Sequence, residues 1–159
     1  MGMTSLDVFR RFANQRVYID VNVFIYALAG FEKYHALATA LLTNIDNGVF
    51  AGVTSELTLA EAHVVPMKLQ RPDLISKYET LLQARGSFQV VTVSRSVLRD
   101  AANQRAVLGR KLADAIHLAT ARATGCSFFL TADKSLKVTP DVQHISLDDL
   151  LVTMKDQRT

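Results

Sequence analysis

Four acidic side chains stand where acids are least expected in this sequence. Asp20 closes the β-branched run RVYID, Glu61 and Asp114 interrupt the apolar stretches TLAEAHVV and LADAIHLA, and Asp133 lies two residues past SFFLT. A carboxylate in apolar surroundings costs free energy unless it is paired, protonated, exposed or bound to a metal. Carboxylate oxygens and water form the natural shell of a hard divalent cation, and Mg²⁺ keeps several waters while using few protein ligands. If the four acids meet, their mutual repulsion calls for such a cation. Each acid also has a plainer account. Asp20 serves equally as a strand-end or helix-capping residue, Asp133 as a turn acid, and Glu61 and Asp114 as solvated helix positions.

Which account holds depends on the elements that carry them. Leu6, Phe9 and Phe12 are at helical spacing and predict a short amphipathic helix over 5–14. Residues 16–20 read as a buried strand ending on a carboxylate. A helix over 35–47 stops at Asn47-Gly48, and 49–53 read as a second strand. Thr54 or Ser55 can cap the next helix, which Pro66 is expected to end or kink. Residues 73–84 read as helix broken by Gly86, and 88–93 as a third strand. Ser94 or Ser96 opens a helix to about 107, Gly109 interrupts it, and a further helical segment over 111–124 stops at Gly125. Residues 127–131 read as a fourth strand, 143–146 as a weaker fifth, and 147–154 as a closing helix. Strands alternating with helices imply a parallel sheet covered on both faces by right-handed crossovers. In such sheets the functional crevice lies beyond the carboxyl ends of the strands. All four acids fall at that edge.

Bulk properties agree with a single globular unit. The chain has 159 residues, 49% of them hydrophobic, and no repeat or linker-like stretch. We read 1–15 as an N-terminal extension, 16–154 as one domain and 155–159 as a tail. No apolar run reaches membrane-spanning length and the N-terminus lacks a signal-peptide pattern, so a cytoplasmic location without membrane association is expected. Cys126 is the single cysteine, excludes an intrachain disulfide, and reads as a buried small residue. The net charge of +3 favours an anionic partner modestly.

Four segments, YIDVNVFIYAL at 18–28, SELTLAE at 55–61, KLADAIHLATA at 111–121 and FFLTAD at 128–133, together resemble the PIN-domain family, especially its bacterial VapC-like toxin branch. The resemblance covers about residues 17–150. It implies a three-layer α/β/α sandwich around a central, mainly parallel sheet of four to five strands. It also implies hydrolysis of RNA phosphodiester bonds with Mg²⁺ or Mn²⁺. By position, Asp20, Glu61, Asp114 and Asp133 match the family's acids, with Asn22, Ser55 and Thr131 at its supporting polar positions. After Asp133 the chain reads Lys134-Ser135-Leu136, where many relatives carry a further acid, so one ion is expected in preference to two. Asp20, Asp114 and Asp133 are the expected metal contacts. Glu61 is either a ligand, directly or through water, or the group that orients the attacking water.

Arg110, Lys111 and Lys134 are candidates for gripping RNA phosphates, against the alternative of ion pairing or plain solvation. Arg110 and Lys111 are expected on the helix face of Asp114. His117 reads as a hydrogen-bonded packing residue, and Tyr18, Phe24 and Tyr26 as core. His35, His63 and His144 lack zinc-like spacing. The resemblance further implies a homodimer silenced by a cognate antitoxin protein, as in type II toxin–antitoxin pairs. The rival readings are a non-cleaving PIN scaffold that binds RNA or protein, and a PIN nuclease for RNA maturation or structured DNA.

Overall fold

The computed structural model describes residues 8–156. Five strands, β1 (Arg16–Ile19), β2 (Ala51–Ser55), β3 (Phe88–Val91), β4 (Phe128–Thr131) and β5 (Gln143–Ser146), form one sheet in the order β3-β2-β1-β4-β5. Every pairing is parallel. Among the described residues seven helices surround it: α1 (Val21–Ala29), α2 (Glu32–Asp46), α3 (Glu56–Lys68), α4 (Pro72–Leu81), α5 (Arg95–Leu108), α6 (Leu112–Ala123) and α7 (Leu147–Asp156). The result is a three-layer α/β/α sandwich.

Side-chain alternation along the central strands divides the core between the two faces. Val17 and Ile19 of β1 and Leu130 of β4 join Leu37, Leu41 and Leu147 in one cluster. Tyr18, Val53 and Phe129 turn the other way, toward Leu118 and Ala121 of α6. Parallel strands covered on both faces need apolar residues at nearly every position, and that is what β1 and β4 carry. Gly52 sets the closeness of α2 to β2: a Cβ there would lie 2.5 Å from Ile45 Cδ1.

The chain builds β1, β2 and β3 outward in one direction, then crosses by α5 and α6 to place β4 on the far side of β1. The strand order therefore reverses between β1 and β4. The carboxyl ends of those two strands flank the crevice that such a reversal opens.

Several expected boundaries change. Among the described residues, the N-terminal segment holds only a 3-10 turn, Arg10–Phe12, and residues 5–7 of the expected helix lie outside them. Phe12 still packs edge-on to Phe50 and Phe128, with ring centres 5.5 and 5.0 Å apart. The segment after Asp20 is the helix α1, which the sequence reading did not identify. The expected second strand moves on by two residues. Pro66 does not end α3, which runs on to Lys68. Proline withholds one N–H and crowds the carbonyl four residues back, but α3 has only Met67 and Lys68 left to build beyond it. Arg110 and Lys111 are not on a helix face. Gly109, at φ 64°, ends α5, and Lys111 is the extended N-cap of α6. Cys126 is buried as expected. No helix among the described residues is long and apolar enough to cross a membrane.

Candidate active site at the carboxyl edge of the sheet

Asp20 follows β1 directly and is the N-cap of α1. The Val21 N–H donates to its Oδ1 at 2.8 Å, and the Thr131 hydroxyl, at the end of β4, donates to its Oδ2 at 2.7 Å. The Asp20 backbone N–H donates to the Leu130 carbonyl at 3.0 Å, extending the β1–β4 ladder to the acid itself. Burial raises the Asp20 carboxyl above its ordinary value against the opposing influence of His117, Thr131 and the Val21 N–H, while the charge of Glu61 adds to the rise. Thr131 does double duty, because its Oγ1 also accepts the Asp133 N–H at 3.0 Å.

Asp133 is exposed, and its Oδ1 receives both the Ser135 N–H (2.8 Å) and the Ser135 hydroxyl (2.6 Å). Those two donors hold its carboxyl below the usual value. Ser135 thus stands, as a donor to Asp133, where the family pattern often has a further acid. Asp114 lies in the first turn of α6 and makes no side-chain hydrogen bond or ion pair among the described residues. With Asp133 and Ser135 it lines an open cleft of about 230 Å³, flanked by Arg110, Lys111 and Lys137.

Glu61, in the middle of α3, is half-buried, and its Oε1 lies 2.5 Å from His117 Nε2. His117 is buried as expected, but one of its partners is a candidate site acid, and its Nδ1 lies 2.6 Å from the Tyr18 hydroxyl. Nothing in the sequence spacing signals that link, since Glu61 and His117 are 56 residues apart.

The other candidates divide. Thr131 touches Asp20 and Asp133. Ser55 is the N-cap of α3, its Oγ accepting the Leu57 N–H at 3.1 Å. Asn22 sits half-buried in the first turn of α1. Arg110 donates to the Lys137 carbonyl. Lys134 pairs with Asp148 at 2.9 Å, which also binds Lys33 and the Tyr34 hydroxyl. Lys111 remains exposed beside the cleft.

The acids come together in pairs: Asp20 with Glu61 through their charges, and Asp114 with Asp133 around one cleft. As the side chains stand, no three His, Cys, Asp or Glu among the described residues are grouped closely enough to hold a metal ion. The donor set is oxygen-only, and Asp114 has no competing partner. It therefore suits an ion such as Mg²⁺ that takes one or two carboxylates and keeps its waters.

A doubly wound parallel sheet covered by helices on both faces, with its strand order reversing between β1 and β4, defines an α/β sandwich. The chain belongs to the PIN domain family, whose model matches residues 17–142, and PIN domains are a family of nucleases. No curated protein matches the chain in sequence. Among solved structures it is similar to VapBC2 from Rickettsia felis bound to a DNA fragment from the promoter (17% identity, TM-score 0.61, covering 82% of this chain and 98% of that one). It is similar to VapC20 from Mycobacterium tuberculosis, described as a Sarcin-Ricin loop cleaving toxin (15%, 0.62, 76% and 92%). It also resembles FitAcB from Neisseria gonorrhoeae (19%, 0.59, 82% and 97%). At these identities the likeness is one of fold.

Proposed function

We propose that this chain is an endoribonuclease that uses Mg²⁺ or Mn²⁺, one ion in preference to two, and acts as the toxin of a toxin–antitoxin pair. The observation that carries the reading is Asp20. It is a half-buried acid at the strand-order reversal, fixed by donors from its own helix and from β4, and under the charge of a second acid, Glu61. Such a group is held ready for a cation and costs free energy without one.

Asp20, Asp114 and Asp133 would hold the ion, with Glu61 contributing directly or through water. A bound divalent ion would supply a more acidic water and neutralise charge on the phosphate oxygens. Thr131 keeps the Asp20 carboxylate in one orientation and ties the backbone of Asp133 to the same hydroxyl. Lys111, at the mouth of the cleft, is placed to attract an RNA phosphate, whereas Arg110 and Lys134 already have partners in the fold.

A protein partner has a surface to cover. Val64, Val65, Met67 and Leu69 of α3 and its end, with Phe31, are exposed beside an apolar pocket of about 290 Å³ that reaches Glu61. An antitoxin segment seated there would lie against a site acid. A homodimer contact elsewhere belongs to the same proposal.

The test is cleavage of a panel of RNAs, with single-stranded DNA alongside, with and without Mn²⁺, and with Asp20→Asn as control. We expect Mn²⁺-dependent cutting of RNA that the variant lacks. Metal-independent cutting, or full activity in Asp20→Asn, would sink the mechanism. A wild-type chain that binds RNA and cuts none would favour the non-cleaving scaffold. That reading draws on the absence of a preformed group of three ligands among the described residues.

A further inference from the structure

We propose that Tyr18 and His117 are positioning residues that set the orientation of Glu61 through a buried chain of hydrogen bonds, and with it the shape of the acidic site. This inference rests on the metal-site reading above and deepens it.

The chain has three members on three elements. Tyr18 on β1 is fully buried, its ring stacked on Phe129 at 4.8 Å and edge-on to His117 at 5.7 Å. Its hydroxyl lies 2.6 Å from His117 Nδ1, and His117 Nε2 lies 2.5 Å from Glu61 Oε1. A phenol keeps its proton at neutral pH and can donate it. With Tyr18 donating to Nδ1, the proton of a neutral imidazole must sit on Nε2, where it faces the Glu61 carboxylate. The tautomer is thus dictated by a strand residue and delivered to an acid on another helix. Glu61 Oε2 has no hydrogen bond among the described residues and is left to the site.

Packing alone does not call for these polar groups. Phenylalanine at 18 and leucine at 117 would fill the same space without burying polar groups that must find partners. What sets this chain apart is where its ends lie. Tyr18 is two residues before Asp20, His117 is three after Asp114 on α6, and the last link is Glu61 itself. Each element carrying a link carries a candidate acid or, as β1 does with Asp20, runs directly into one. The bonds therefore register β1, α6 and α3 against one another at the edge of the sheet where the candidate acids lie. Outer partners that orient ligands in this way typically govern about 10–100-fold in metal affinity or activity.

The experiment uses the full chain and three variants: Tyr18→Phe, His117→Leu and His117→Gln, the last able to accept from Tyr18 and donate to Glu61. Mn²⁺ binding by calorimetry, RNA cleavage resolved into kcat and KM, and thermal melting are measured together. The tautomer of His117 is read by ¹⁵N NMR of the metal-free protein. We expect the Nε2–H tautomer in the wild type, and about 10–100-fold weaker Mn²⁺ binding or lower kcat in His117→Leu and Tyr18→Phe with KM for RNA little changed. Partial recovery is expected in His117→Gln. Variants that melt lower yet bind Mn²⁺ and turn over like the wild type would reduce the chain to packing and overturn the proposal, as would an Nδ1–H tautomer. A wild-type chain that neither binds Mn²⁺ nor cuts RNA overturns the functional reading instead, recognisable because the wild type itself then fails while the NMR result still rules on the hydrogen-bond chain.

Discussion

The two halves of the site are built on opposite principles. On the inner side, Asp20 is held by Thr131 and Val21 and Glu61 by His117, and burial raises the Asp20 carboxyl above its ordinary value. On the outer side, Asp133 is exposed and its carboxyl is lowered by Ser135, while Asp114 is unpartnered among the described residues. The inner half spends folding free energy to fix geometry. The outer half costs little and is free to adjust to whatever enters the cleft. A preorganised wall facing an adaptable rim suits the proposed function, in which one site would take both an ion and a polymer.

The contrast would break first at Asp20. Asp20→Asn should lower RNA cleavage by more than the ~100-fold that loss of an outer partner costs. The same variant should melt higher in metal-free buffer. Because the folded-state value of Asp20 is raised, the folded chain binds its proton more tightly than the unfolded chain. Stability then falls as pH rises between the ordinary and the raised value. Asn removes that slope, and melting curves across that window compared with wild type check it. An inactive variant with unchanged melting at all pH values would show that the inner half carries no electrostatic load.

Next comes Thr131→Val, which removes the donor to Asp20 Oδ2 and the acceptor for the Asp133 N–H together. We expect about 10–100-fold loss of kcat. The Asp20 carboxyl, read by ¹³C NMR without metal, should titrate at still higher pH, since Thr131 acts to lower it. A smaller effect is expected at Lys111→Ala: a higher KM for RNA and a slope of log affinity against log salt reduced by roughly one. Least of all, Ser135→Ala should move the Asp133 carboxyl up toward its ordinary value with a stability change within about 0.5 kcal/mol, as fits an exposed position. If Ser135→Ala hurt more than Thr131→Val, the division into wall and rim would be wrong.

How far the sequence revealed this arrangement varies by element. The strands were legible because β-branched and aromatic runs end at recognisable breaks, and the acids fell at strand or helix positions that ordered motifs identify. Helix α1 was hidden because VNVFIYALA is apolar nearly all round. Val23 and Phe24 are buried, and Ile25 through Leu28 are partly so, leaving no polar stripe to betray the period. Asp20 before it and Gly30 after it, at φ 67°, were the available signals. The start of α6 was misplaced because KLADAIHLA is helical in pattern one residue before the backbone turns. The bond between Glu61 and His117 could not be read at all. It depends on how α3 and α6 pack, and local periodicity says nothing about that.

The placement of β1 has a consequence for the chain as it is made. β1 precedes the other four strands of the sheet in the chain, yet it lies in the middle of the sheet, and its second neighbour, β4, follows β2 and β3: the Thr131 that steadies Asp20 is 111 residues downstream. During synthesis a half-sheet of β3, β2 and β1 can form with one edge of β1 open. Until α6 and β4 leave the ribosome, Glu61 lacks His117, Asp20 lacks Thr131, and Asp114 and Asp133 are missing. In a chain of this topology the four acids and the groups that hold them come together only after β4 has been made.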